Sequence, residues 1–160
     1  MNNVHFTSNS STWQTPPSIY DPLNKNFAFD LDPCCTHKSA KCKKHFTEEE
    51  DGLVQDWGGH SVFMNPPYGR QIKDWVKKAF EESKKPNTTV VCLIPARTDT
   101  KWWFDYCVHG EIIFLKGRIK FINEDNMPVN SAPFPSAIVI FGKWARPETI
   151  YITQKTLWML

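Results

Sequence analysis

The pattern of apolar and polar positions divides the chain into an irregular first third and a regular remainder. Phe27, Phe29 and Leu31 alternate with Ala28 and Asp30 and predict a short strand that Pro33 stops. Residues 34–60 have no period. Within them Thr47-Glu48-Glu49-Glu50 has the spacing of a capping box and predicts a short helix, which Gly52 opposes. Ser61-Val62-Phe63-Met64 is a short apolar run halted by Asn65-Pro66-Pro67-Tyr68-Gly69. Ile72, Trp75, Val76, Ala79 and Phe80 then recur at helical spacing, with lysines and glutamates on the opposite side, as far as about Pro86. Val90–Ile94 reads as a buried strand ending at Pro95. Thr98 or Asp99 is placed to cap a second helix carrying Trp102, Trp103, Tyr106 and Cys107, closed by Gly110. Glu111–Leu115 is another strand, which Gly117–Phe121 turns or continues. Residues 123–135 form a Pro/Asn-rich loop, and Ala137–Phe141 is the last core strand.

Strands that are continuously apolar and alternate with helices predict an α/β fold, a mostly parallel sheet with helices on both faces. The last strand follows a loop without a helix, so it is expected to enter antiparallel. At 160 residues the chain is sized for one domain. The polar residues 1–12 read as a flexible tail, 13–145 as the domain and 146–160 as a C-terminal extension. Aromatic residues at 14% exclude a disordered chain, and a net charge of +2 excludes a polybasic tail as the main binding device. No apolar run approaches membrane-spanning length and the N-terminus has no signal-peptide core, so a cytoplasmic protein with no membrane partner is expected. Five irregularly spaced cysteines fit a reduced protein better than a disulfide scaffold. Cys34, Cys35, Cys42, His37 and His45 lack the paired spacing of a zinc site, so packing thiols and no metal are expected.

In open α/β sheets ligands collect at the carboxyl ends of strands. Three such ends carry unusual residues: Asp32-Pro33, Asn65 to Tyr68, and Pro95 to Asp99. The second suits methylation of an exocyclic amine. The lone pair of adenine N6 is delocalised into the ring, and two acceptors that take both N–H bonds localise it and stabilise the positive charge developing during attack. The Asn65 side-chain oxygen and the Pro66 carbonyl are candidate acceptors. Pro66 and Pro67 restrict the backbone, and Tyr68 offers a face for a flipped or single-stranded base.

The chain resembles the phage-type DNA N6-adenine methyltransferases from about Trp13 to Phe141. The resemblance rests on Trp13-x-Thr15-Pro16, Phe29-x-Leu31-Asp32-Pro33, Lys41-Cys42, Phe46-Thr47-x-Glu49-x-Asp51-Gly52-Leu53, Trp57 and the Asn65–Arg70 block. It continues in Leu93-x-Pro95 to Thr100-x-Trp102, Gly117-Arg118-x-Lys120-Phe121 and Ala132 to Ala137. It implies a compact Rossmann-like methyltransferase sheet, S-adenosylmethionine as donor, adenine in DNA as substrate, and Asn65, Pro66, Pro67 and Tyr68 as the catalytic block. It also implies a donor site drawn from Trp13, Thr15, Pro16, Asp32, Pro33 and Asp51, with Asp30 an alternative to Asp32. The usual Gly-rich donor loop is absent. Pro33-Cys34-Cys35-Thr36-His37 stands in its place, and only about 30 residues separate Asp32 from Asn65, so the intervening strands must be short or partly missing.

Charge adds a candidate DNA edge. Residues 45–68 hold five acids and no Lys or Arg, whereas 69–120 hold eleven basic residues against six acidic. Of these, Arg70, Arg97, Lys101, Arg118 and Lys120, with Thr98, lie near predicted strand ends and are candidates for a phosphate backbone. One of Trp102 and Trp103 is expected in the core, the other being a candidate wedge against DNA. Three other functions stay open at this point: methylation of RNA adenine, methylation of a protein glutamine, whose carboxamide poses the same lone-pair problem, and an inactive nucleic-acid-binding relative.

Overall fold

The computed structural model describes residues 13–146 and 148–160; the segment expected to be a flexible tail lies outside the described residues. Its elements are α1 (Pro17–Phe27), β1 (Leu31–Asp32), β2 (Lys44–His45), β3 (Ser61–Met64), α2 (Ile72–Glu82), β4 (Thr89–Pro95), α3 (Lys101–Asp105), β5 (Glu111–Lys116), β6 (Ser136–Gly142) and β7 (Thr149–Thr153). Short 3-10 turns lie at Gly52–Val54, Cys107–His109 and Gln154–Met159. The seven strands form one sheet in the order β2-β1-β3-β4-β6-β5-β7. The first four run parallel, β6 lies antiparallel between β4 and β5, and β7 pairs parallel with β5.

The two-residue period of β4 assigns its side chains to two cores. Val90, Cys92 and Ile94 pack with α2 and α3, against Trp57, Trp75, Val76, Ala79, Trp102 and Trp103. Val91 and Leu93 face the other side, with Ile19, Tyr20 and Leu23 of α1, Ile119, Phe121 and Leu157. Helices therefore cover both faces, and every residue of β4 is buried. Trp57 is fixed twice: its indole N–H donates to the Gly52 carbonyl at 2.9 Å, and its main-chain N–H donates to buried Glu82 at 2.8 Å. Lys78 and Lys85 supply the charge that lets the Glu82 carboxylate stay buried.

Several expectations change in detail. The strand expected from Phe27 shrinks to Leu31–Asp32, because Phe27 ends α1, a helix not foreseen from the proline-rich Thr15-Pro16-Pro17. Pro16 keeps the extended conformation as N-cap (φ −67°, ψ 150°), and Pro17 opens the helix, where its missing N–H costs nothing. Thr47–Glu50 forms turns only. Glu50 does reach back to the Thr47 main-chain N–H at 2.9 Å, but Asp51 turns left-handed (φ 52°) before a helix can propagate. Thr98 and Asp99 lie in the turn before α3, whose N-cap is Thr100. Trp102 and Trp103 are both buried, so neither is a wedge; Trp103 stacks on Phe114 and the exposed aromatic of α3 is Phe104. Ala137–Phe141 enters antiparallel as expected. A further strand, β7, follows within the residues set apart as an extension, and Leu157 beyond it is fully buried against the α1 side.

Candidate active site

Parallel pairing brings the carboxyl ends of β1, β3 and β4 to one edge of the sheet. A cavity of about 780 Å³ opens there, between the loop after β1, the 47–53 turn, the 13–15 segment and the end of β3. Of the donor-site candidates, Trp13, Thr15, Asp32, Pro33 and Asp51 line it; Pro16 does not, being taken up as the cap of α1. Asp30 lies outside, accepting from the Ser61 main-chain N–H and meeting His60. Asn65 and Pro67 line the cavity, whereas Pro66 and Tyr68 stand beyond it.

Where the glycines are absent, the backbone packs closely. Asp32 turns its carboxylate back onto its own loop, accepting from the main-chain N–H groups of Lys41 (3.0 Å) and Cys34 (3.4 Å). Burial raises its carboxyl above the ordinary range, against the pull of those hydrogen bonds. Opposite, Gly52 approaches Pro33 so closely that a Cβ would stand 2.0 Å from the Pro33 carbonyl oxygen. Three side-chain atoms at this edge are buried without a partner: Thr15 Oγ1, Trp75 Nε1 and, at the start of β6, Ser136 Oγ. Thr15 and Trp75 belong to the cavity wall.

The Asn65 amide is held from both ends. Its Nδ2 donates to the Trp13 carbonyl (3.2 Å), and its Oδ1 accepts the Tyr68 hydroxyl (2.8 Å). A carbonyl accepts only, so Trp13 decides which end of the amide is nitrogen. Trp13 is itself anchored, since Gln14 and Ile122 exchange main-chain hydrogen bonds. Tyr68 is half-buried, with its ring edge-on to Phe134 (5.3 Å) and Phe121 (6.2 Å); its hydroxyl also lies 3.3 Å from the Leu93 carbonyl. Burial pushes the Tyr68 phenol well above its ordinary value, so it remains a donor. Trp13 stacks on Phe121 at 5.4 Å, completing an aromatic wall of Trp13, Tyr68, Phe121 and Phe134.

This geometry accompanies clear similarity to known proteins. Residues 5–158 match the model of the family described as DNA N-6-adenine-methyltransferase (Dam). The chain belongs to that family. It is 35% identical over 140 residues to the DNA N-6-adenine-methyltransferase of Haemophilus phage HP1 (strain HP1c1), covering 84% of this chain and 80% of the relative. It is 32% identical over 110 residues to the DNA N-6-adenine-methyltransferase of Escherichia phage T1, covering 67% of this chain and 45% of that protein.

For a Dam-family chain the basic residues are the natural place to look for substrate. Arg70, Arg97, Thr98, Lys101, Arg118 and Lys120 are all exposed. The Arg97 guanidinium lies 5.9 Å from the Phe134 ring, bringing it to the aromatic wall. Arg118 and Lys120 flank buried Ile119 in the segment leading to Phe121. The Lys101 ammonium is engaged by Asp105. Phe134 and Trp75 are the neighbours that sequence reasoning left out of the site. Phe134 sits in a loop with no period to place it, and Trp75 reads simply as the apolar face of α2. Among the described residues no helix is long and apolar enough to cross a membrane, and no three His, Cys, Asp or Glu side chains gather as a metal site would require.

Proposed function

We propose that this Dam-family chain transfers the methyl group of S-adenosylmethionine to N6 of adenine in DNA, with Asn65 and Pro66 as the amine acceptors. The observation that carries the reading is the Asn65 amide, oriented by the Trp13 carbonyl at the edge of the cavity. Its oxygen has two acceptor directions. The Tyr68 hydroxyl takes one, and the other serves an amine N–H while the Pro66 carbonyl takes the second N–H. Drawing on both N–H bonds returns the lone pair to nitrogen, and the paired acceptors stabilise the positive charge that grows there. The half-buried Tyr68 ring supports the base, and Phe134 stands edge-on beside it.

The cavity suits the donor. Its buried carboxylate, Asp32, complements an ammonium or a hydroxyl, and the unpartnered Thr15 hydroxyl awaits a ligand atom. The bound donor supplies a methyl group on a cationic sulfur, which becomes neutral as the methyl leaves. Asp51, Pro33 and Trp13 shape the remaining walls. Arg70, Arg97, Thr98, Lys101, Arg118 and Lys120 border the edge where DNA arrives, which makes binding strongly salt-dependent. Such a substrate sets the reaction in the cytoplasm, which for a phage- or prophage-encoded chain is that of the host cell. The test is transfer of tritiated methyl to unmethylated DNA, single- and double-stranded, with RNA alongside, followed by nucleoside analysis. Label in N6-methyladenine from DNA is the expected result. Its absence at saturating donor on every sequence and strandedness overturns the reading.

A further inference from the structure

The loop after β1 carries a charge that the site has not yet used. Lys41 lines the donor cavity and is half-buried, with its ammonium 5.5 Å from the centre of the Tyr20 ring. Among the described residues its ammonium makes neither an ion pair nor a hydrogen bond, whereas Lys38 of the same loop meets Glu124 at 3.5 Å. Asp32 accepts the Lys41 main-chain N–H and makes no ion pair with its ammonium. Burial draws the Lys41 ammonium below its ordinary value, the direction expected when a cation loses water without gaining a full counter-ion. The same cavity holds the Thr15 hydroxyl, which is 1% exposed and has no partner.

An α-amino acid end of a ligand carries one positive and one negative group. Asp32 with its buried carboxylate, half-buried Lys41 and Thr15 with its unpaired hydroxyl all belong to the cavity lining. We infer that Lys41 is the counter-ion of the donor's α-carboxylate, aided by the Thr15 hydroxyl, while Asp32 meets the α-ammonium. The inference rests on the donor reading above and adds to it the direction in which the donor lies. Its amino-acid end faces Thr15, Asp32 and Lys41, which leaves Asp51, Leu53 and Trp75, also in the lining, for its nucleoside end. A charged pair of this kind, partly shielded from water, contributes more than a surface pair.

The test uses two ligands that differ only beyond the sulfur: S-adenosylhomocysteine, which carries the amino-acid end, and 5′-methylthioadenosine, which lacks it. Binding of each to the full chain is measured by calorimetry for wild type, Lys41→Met and Thr15→Val. Methionine keeps the length of the side chain and the main-chain N–H that Asp32 accepts, and circular dichroism checks that the fold persists. Lys41→Met is expected to weaken S-adenosylhomocysteine about 10- to 100-fold and to leave 5′-methylthioadenosine within two-fold. Lys41→Arg is expected to recover part of the loss, and Thr15→Val to lose about three- to ten-fold on S-adenosylhomocysteine alone. Equal weakening of both ligands, or of neither, overturns the assignment. So does a loss confined to DNA affinity, which would make Lys41 a phosphate contact. Failure of the wild-type chain to bind either ligand would remove the donor reading itself, a result distinct from the others.

Discussion

Replacing Gly52 by alanine tests whether backbone packing has taken over the role of a Gly-rich donor loop. The new Cβ would stand 2.0 Å from the Pro33 carbonyl oxygen, 3.0 Å from its carbon and 3.2 Å from the rim of the Trp75 indole. A carbon and a carbonyl oxygen rest about 3.3 Å apart or more, so the two backbones must separate by about 1.3 Å. Neither yields freely. The Gly52 carbonyl is held by fully buried Trp57, and Pro33 follows β1 directly. Overpacking of this kind costs about 1–3 kcal/mol, or about 2–12 °C in Tm for a domain of this size. Because the separated walls are those of the cavity, S-adenosylhomocysteine should bind at least about ten-fold more weakly, in line with the cost of ångström-scale misplacement. Gly59→Ala is the matched control. Its φ of +80° makes alanine strained by about 1–2 kcal/mol, yet nothing lies within 4 Å of the added carbon and the residue is outside the cavity. Differential scanning calorimetry and titration calorimetry on both variants separate the effects. Wild-type affinity in Gly52→Ala, or equal weakening in Gly59→Ala, would refute the reasoning.

Further expectations concern the catalytic amide and the buried carboxylate. Asn65→Ala should reduce methyl transfer at least about 10²-fold while S-adenosylhomocysteine binding stays within a few-fold; loss of both would show that Asn65 holds the donor. Asn65→Asp should also be impaired at neutral pH, because a carboxylate oxygen would replace the amide donor facing the Trp13 carbonyl, and its activity relative to wild type should rise as acid protonates it. Tyr68→Phe removes the donor to Asn65 Oδ1 but keeps the ring, so single-turnover transfer should fall by about three- to ten-fold with DNA affinity unchanged; a fall in DNA affinity alone would contradict that role. Burial raises the Asp32 carboxyl above 3.8, so folding favours its neutral form; that stability is complete below 3.8 and is lost as pH rises through the raised value, where the buried charge becomes a cost. Ligand ammonium offsets that cost only while the group is ionised. Affinity for S-adenosylhomocysteine should therefore fall as pH drops through the raised value, and Asp32→Asn should flatten the profile; a pH-independent wild-type affinity would exclude the pairing.

The regular part of the chain was legible because its periods are strong. Ser61–Met64 coincides with β3, and Ile72 to Phe80 lies within α2. The alternating residues of β4 divide between the cores as a two-residue period requires. The irregular first third was not legible in the same way. β1 and β2 are two residues each, too short for any period; β1 pairs with the edge that β3 offers, and β2 pairs with β1 in turn. β7 lies outside the described strongly apolar runs, with an alternating exposed and half-buried pattern, and is a strand because β5 needs a neighbour.

Local chemistry written in the chain determined the kind of reaction. Asn65-Pro66-Pro67-Tyr68 between a strand and an amphipathic helix carries acceptors and a ring whatever surrounds it, and Asp32 ends a strand beside it. The orientation of those groups was decided only by contacts between distant segments. Trp13, 52 residues earlier, sets the amide of Asn65; Gly52 brings the 47–53 turn against Pro33; and the cavity wall holds the Thr15 hydroxyl without a partner. Hydrogen bonds and close packing depend on distance and angle, and distances between remote residues exist only once the chain has folded.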